Sequence, residues 1–550
     1  MSRRCFAGLA LLIAALTVGS ARADPASDRV EKALQDRIAA GRYQAVVMDV
    51  IDGDTSKIST FGKLDDGRAP DADTVFEIGS VTKTFTATLL AEAVLQGRVQ
   101  LDEPVARLLP DFEIPARGGR SITLLDLADQ HSGLPGMPTN LSPADPANPY
   151  ADYDKARLKA FLAGYPLPRD PGAAYEYSNL GFGLLGVALT ASAGQPNYAA
   201  LVKQGVLDPL GMTQSGVSLT PAMRAHLASG HDESGKPAKN WDLDALAGAG
   251  AVRSTARDMS RYLQANMGRL KTPIDAAMTL AHQPRTEVNP KTRIGLAWMT
   301  TTTAQGTIVW HNGMTGGYAS FIGFTPDGRH GVVLLANTAT SLDDLGFAAL
   351  LADWPLAPAR KAITLSNATL DAYAGSYRLA PGFILKIFRV GDQLYAQATG
   401  QGPLPIYPSA TDEFFANVAN IRISFTHDAA GAVNGLVLHQ NGDRTAPRLT
   451  AADLPNEPQA VALDPAILVD YVGTYRFAFG ADLVVALKDG ELSARLGAQP
   501  AFPIYPSAKD HFFYKVVDAQ LTFERDAAGK VVAVVLHQGG LDQRAPRKPG

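Results

Sequence analysis

The chain has 550 residues, 46% of them hydrophobic and 19% charged, with a formal net charge of −4. These are globular values, and the length suits two to four domains. A near-neutral balance without a basic block gives no electrostatic case for nucleic acid, and a single cysteine excludes a disulfide framework.

Residues 1–23 read as an export signal. Arg3 and Arg4 precede an apolar core, Ala7 to Val18, that is short for a membrane span. Ala21-Arg22-Ala23 is a small-x-small cleavage site, so the exported chain is expected to begin at Asp24. Ser2 to Phe6 also fits the twin-arginine export pattern, with the general route favoured. Cleavage removes Cys5 and with it any thiolate metal site. No later run reaches 18 apolar residues, so no membrane span is expected. The expected location is the periplasm of a bacterium or its exterior.

Pro25 to Gly41 has helical spacing, and Tyr43 to Ile51 and Ser56 to Gly62 read as two strands joined at Asp52-Gly53-Asp54. Next comes Phe76-Glu77-Ile78-Gly79-Ser80-Val81-Thr82-Lys83, which ends an apolar run and opens a helical pattern to Gln96. Ser80 and Lys83, three apart, share a face if Ser80 lies in the first helical turn. A serine hydroxyl needs such a neighbour to become a nucleophile. Ser-x-x-Lys alone is a weak signal, equally compatible with a capping serine and a solvated lysine.

Pro104 fits the start of a short helix, and Thr123 fits the cap of another built on Leu124, Leu127 and Ala128. His131, at the end of that helix, is read as structural, bonding a terminal carbonyl. Leu134 to Tyr153 is loop, placed to rim a site. Asp154 to Gly164 is a short helix. Tyr175-Glu176-Tyr177-Ser178-Asn179 leads into a buried helix, Leu180 to Ala193. Ala247 to Val252 reads as small and flexible, and Ser254 to Leu270 as a capped amphipathic helix. Four strands follow: Ile294–Thr301, Thr307–His311, Tyr318–Phe324 and Gly331–Asn337. Their tight turns predict an antiparallel sheet, and helices on its faces make an α+β fold. Leu342 to Leu351 is the last helix.

After a linker at Leu356 to Arg360 the chain repeats itself. Tyr377 recurs as Tyr475, Ile406-Tyr407-Pro408-Ser409-Ala410 as Ile504 to Ala508, and Leu438-His439-Gln440 as Leu536 to Gln538, always 98 residues on. Short alternating strands in each unit predict two small all-β barrels, over 364–450 and 462–550. Their repeated tyrosines and histidines are read as core and corner residues. No Ser/His/Asp or metal constellation is evident in either repeat.

Ser80-x-x-Lys83, Tyr177-Ser178-Asn179 and His311-Asn312-Gly313, in this order, resemble the three motifs of class C serine β-lactamases, DD-peptidases and related esterases and aminopeptidases. The resemblance covers roughly residues 26 to 355, within an expected catalytic domain of 24–355. It departs at Thr82, where Ser or Ala is usual, and at His311, where those β-lactamases carry Lys. It implies that Ser80 attacks a carbonyl, with Lys83 and Tyr177 sharing the proton work and Tyr175 a rival only if the register is misread. It implies that Asn179, His311 and Gly313 contact substrate, with Gly316 and Gly317 also admitting its backbone, and that Ser178 is a spacer. The N–H groups of Ser80 and Met314 form the implied oxyanion hole. A histidine at 311 carries only part of a lysine's charge near neutral pH, which favours a peptidase over an efficient β-lactamase. The implied substrates are small peptides, β-lactams or esters, with no cofactor and no metal. A penicillin-binding sensor or an inactive scaffold is the reading outside catalysis. The repeats resemble lipocalin-like domains that cover the cleft of some such peptidases or support homo-oligomers.

Overall fold

The computed structural model describes residues 25–550, apart from 381–382, 400–402, 418–420, 441, 451–452, 454–459, 479, 489, 498–500, 516–518, 539–540 and 549–550. The export segment read at 1–23 lies outside the described residues. Among them, no helix is long and apolar enough to cross a membrane.

The first and larger part of the chain, Pro25 to Leu350, is built on an eight-stranded antiparallel sheet. Helix α1 (Pro25–Ala39) leads into β1 (Ala45–Asp52) and β2 (Thr55–Gly62). Strand β3 (Val75–Glu77) leaves the sheet, and helices α2 (Thr82–Leu95), α3 (Asn179–Ser192) and α4 (Ala247–Gly250) form the facing layer. Strand β4 (Arg253–Thr255) pairs with β3, and α5 (Ala256–Asn266) follows. The chain then returns through β5 (Thr286–Asn289), β6 (Thr292–Ile294), β7 (Met299–Thr303), β8 (Gly306–Met314), β9 (Ala319–Phe324) and β10 (His330–Ala336), ending in α6 (Asp343–Leu350). The strand order is β2-β1-β10-β9-β8-β7-β6-β5, so β1 is inserted beside the last strand and ties the chain's start to its end. One face packs on α1 and α6, the other on the helical layer.

The sheet differs from the expected one in two places. The run read as one strand, Ile294 to Thr301, is broken between Ile294 and Met299, where Ala297 has φ +65°. The edge strand β5 escaped notice because its pattern is half-exposed and polar. The stretch read as small and flexible, Ala247–Val252, opens with a short helix, Ala247–Gly250. This is α4, packed so closely on α3 that a Cβ on Gly248 would lie 2.8 Å from the Phe182 carbonyl. The next helix, read over Ser254–Leu270, spans Ala256–Asn266 and is capped by Thr255.

Each repeat is an eight-stranded antiparallel sheet, Gly375–Pro447 and Gly473–Pro546 in its outer bounds. First and last strands meet through the bridges Tyr377–Arg448 and Tyr475–Arg547, nearly closing two barrels. The repeated tyrosines are corner residues: Tyr377 donates to the Tyr373 carbonyl and Tyr475 to the Tyr471 carbonyl. The reading that no Ser/His/Asp constellation exists there needs correction. Ser424 Oγ lies 2.9 Å from His439 Nε2, and His439 Nδ1 lies 2.5 Å from Asp443. Thr522, His537 and Asp542 repeat this in the second barrel. These are cross-strand neighbours, invisible to a linear search. They form an outward-facing ladder with carboxylates 71% and 74% exposed, and the second copy has Thr in the serine's place.

Candidate active site

The nucleophile turn starts where β3 ends. Gly79 has φ +49°, then a single 3₁₀ turn, Gly79–Val81, carries Ser80 into α2. Ser80 thus sits just ahead of the α-helix, one turn before Lys83. Two glycines let this turn lie flush on β8. A Cβ on Gly79 would come within 2.7 Å of Met314 N, and one on Gly313 within 2.1 Å of the Ile78 carbonyl and 3.0 Å of Ser80 N. Gly313 therefore serves first to seat the nucleophile. Ser80 and Met314 both line a cleft with Met137, Tyr150, Asn179, Trp241, Leu243, Leu246 and α4.

Lys83 is fully buried. Its Nζ lies 2.9 Å from Ser80 Oγ and donates to Asn179 Oδ1 at 2.7 Å and to the Ala249 carbonyl at 2.8 Å. Burial pushes its pKa well below the ordinary lysine value, because an ammonium loses hydration that neutral acceptors replace only in part. Asn179 is held in turn by its place at the first position of α3 and by Nδ2 on Met137 Sδ. Ser178, read as a spacer, is the N-cap of α3: it accepts from Gly181 N and donates to the Pro135 carbonyl.

Tyr177, not Tyr175, turns its hydroxyl to Ser80, and burial raises its pKa further above the ordinary phenol value. Tyr175 instead meets His131 edge-on at 6.0 Å. His131 Nδ1 bonds the Asp129 carbonyl, as a structural histidine at a helix end should. His311 is only 3% exposed, and its Nδ1 bonds the Asn312 carbonyl at 2.6 Å. A carbonyl can only accept, so Nδ1 carries the hydrogen and Nε2 keeps its lone pair. Desolvation, then the nearby Lys83, lowers its pKa to about 3. The partial charge expected near neutral pH is therefore absent. Gly316 and Gly317 also differ from expectation: their missing side chains make room for the Trp241 indole and for Gly230 and Ala238.

Sequence reasoning passed over Glu77. Its buried Oε1 accepts from Asn240 Nδ2 at 3.0 Å, Trp241 N at 2.9 Å and Arg253 at 3.3 Å. It thereby ties the strand before Ser80 to the rim residue Trp241, which meets Tyr150 edge-on at 5.0 Å. The available signal was a carboxylate inside the apolar run Val75-Phe76-Glu77-Ile78, since a buried charge needs partners. Nothing in the sequence singled out Trp241, Met137 or the Ala249 carbonyl. Among the described residues no acidic, histidine or cysteine cluster is arranged to hold a metal.

The family model described as Beta-lactamase matches residues 28–353. One described as "Domain of unknown function (DUF3471)" matches twice, at 359–454 and 457–545. A beta-lactamase of Pseudomonas fluorescens is 28% identical over 345 residues, covering 56% of this chain and 91% of that protein. The D-alanyl-D-alanine-carboxypeptidase/endopeptidase AmpH of Escherichia coli K12 is 28% identical over 327 residues, covering 56% and 83%. A solved class C beta-lactamase superposes with a TM-score of 0.53 at 23% identity, over 59% of this chain and 95% of its own, and bears on the fold alone. The motifs, the fold and the matched span agree: this chain belongs to the beta-lactamase family of serine hydrolases.

Proposed function

We propose that this enzyme cleaves amide bonds of small peptides through an acyl-enzyme on Ser80, in the periplasm or outside the cell. The carrying observation is the set of partners around Lys83. A neutral amine has two N–H bonds and one lone pair. Asn179 Oδ1 and the Ala249 carbonyl can only accept, so they take the two hydrogens. The lone pair is left facing Ser80 Oγ at 2.9 Å. Ser80 attacks the substrate carbonyl carbon as its proton passes to Lys83. The oxyanion is received by the N–H groups of Ser80 and Met314, where one donor is worth about 3 kcal/mol. Tyr177, held as a phenol, protonates the leaving amine and regains a proton from the Lys83 ammonium. Water then attacks the acyl-enzyme, gives its proton to the same pair, and Ser80 recovers its own. Asn179 orients Lys83, and His311 Nε2 accepts a hydrogen bond from substrate.

A peptide substrate is supported by the carboxypeptidase/endopeptidase relative. A second reading, esterase or β-lactamase, is supported by the beta-lactamase relative and by the apolar wall of Met137, Leu243 and Leu246. A screen of wild type beside Ser80→Ala separates them: D- and L-amino-acid amides, D-Ala-D-Ala peptides, nitrocefin and p-nitrophenyl esters. Amide turnover lost in Ser80→Ala supports the proposal. Efficient nitrocefin turnover without amide turnover contradicts it, and a stable acyl adduct without turnover indicates a sensor.

A further inference from the structure

The two barrels share a fold and differ in how they meet the catalytic half. The first has a core of its own. It touches the catalytic half through polar contacts, with Asn417 Nδ2 on the Glu233 carbonyl at 3.0 Å and Ser341 N on the Asn417 carbonyl at 3.1 Å. The second barrel's core runs without a break into the catalytic core. The junction is the loop that begins at the cleft residue Met137. A Cβ on Gly497 would lie 2.5 Å from the Leu141 carbonyl and 3.3 Å from that of Thr139, and Gly480 sits over Asn140. Leu496, Tyr514, Met137 and Leu141 each pack against this shared core.

The repeats diverge at these contacts. The first-barrel counterparts, 98 residues earlier, are Thr399 for Gly497, Ala398 for Leu496 and Ala416 for Tyr514. Thr399 spends its hydroxyl on its own barrel, bonding Ile384. Gly497 keeps the equivalent backbone bond, to the Asp482 carbonyl, and leaves the side-chain space to Leu141. Its φ of +56° also favours glycine. From Leu141 the path to the chemistry is short: Met137 lines the cleft, its sulfur holds Asn179 Nδ2, and Asn179 Oδ1 holds Lys83.

Resting on the Ser80 acyl-transfer reading, we propose that the second barrel braces the active site from behind: Gly497, Leu496 and Tyr514 are positioning residues that fix the Met137–Leu141 loop, which lines the cleft at Met137, and so set the size of acyl group accepted. The first barrel has no such role.

The test compares full-length Gly497→Thr, Leu496→Ala/Tyr514→Ala and the control Thr399→Gly with wild type. Two readouts are taken: hydrogen exchange of residues 134–153, and kcat/KM for p-nitrophenyl acetate, butyrate and octanoate. The first two variants are expected to speed loop exchange and to shift the octanoate-to-acetate ratio by at least about fivefold, since one methylene in a fitted pocket discriminates by ~10-fold or more. Thr399→Gly is expected to change neither. Cooperative unfolding shows that each variant folds, and the pair of alanine changes tests the contact without left-handed strain. Unchanged loop exchange in both variants, or faster exchange with the ratio within twofold of wild type, overturns the proposal. Failure of wild type to label at Ser80 with a fluorophosphonate overturns the acyl-transfer reading instead, and the barrel's catalytic consequence with it.

Discussion

Two buried ionisable residues stand three positions to either side of Ser80. Glu77 lies before it and Lys83 after it, and their surroundings are opposite in kind. Glu77 has a cation, Arg253, an amide side chain and a backbone N–H on one oxygen. Lys83 has only neutral oxygens and no carboxylate among its hydrogen-bond partners. The first has an ion partner, although burial still outweighs it and raises the carboxyl's pKa. The second has no ion partner, and burial lowers its pKa, which suits the base proposed for Ser80. Position relative to the nucleophile therefore says less about role than the partners do.

The sharpest way to break this contrast is to remove each group in turn. Lys83→Ala should lower kcat by about 10²–10⁴-fold, the range for loss of a general base, with little change in unfolding temperature beyond a core substitution. Glu77→Ala should act on stability instead, costing about 1–3 kcal/mol by leaving the Trp241 N–H and Asn240 Nδ2 without their acceptor while Arg253 keeps Asp242, read by denaturant unfolding. If the two variants exchange these phenotypes, the contrast fails.

pH sharpens it further. Lys83 must be neutral to accept the Ser80 proton, so kcat/KM should fall as pH falls through its lowered pKa, on a limb below the ordinary lysine value. His311, with a pKa of about 3, should add no limb between pH 5 and 8. The profile of His311→Gln should keep the wild-type shape even where its height differs. In stability the sign is separate. The unfolded chain takes up a proton at His311 near pH 6.5 that the folded chain refuses until about 3, so His311 makes folding weaker as pH falls across that window. Urea midpoints of wild type and His311→Gln between pH 7 and 4 should diverge accordingly. The smallest effect belongs to the barrel ladder: Ser424→Ala should leave kcat/KM within about twofold, since a surface hydrogen bond contributes ~1 kcal/mol or less to stability and nothing to the cleft.

The convergence of the Ser80, Lys83 and Asn179 motifs was legible because each lies at a junction of elements, where spacing in sequence becomes spacing in space. Ser80 and Lys83 are neighbours through one helix turn, and Asn179 starts the helix that faces them. The α+β sheet and the two barrels were legible from strand punctuation and the 98-residue repeat. What escaped depends on long-range packing. His311 is neutral because distant elements bury it. Helix α4 has no apolar period to read, since Ala and Gly pack all round against α3. Ser424, His439 and Asp443 meet only across strands. The clasp of Gly497 on Leu141 joins residues more than 350 positions apart.

The central claim is that Ser80 forms the covalent intermediate with Lys83 as its base. Intact-mass and peptide mapping after rapid mixing with a p-nitrophenyl ester or a penicillin test it directly. The account predicts a single acyl adduct on the Ser80 peptide in wild type, no adduct in Ser80→Ala, and adduct formation slowed by at least about 10²-fold in Lys83→Ala. An adduct on another residue, or one formed in Lys83→Ala at the wild-type rate, would contradict it.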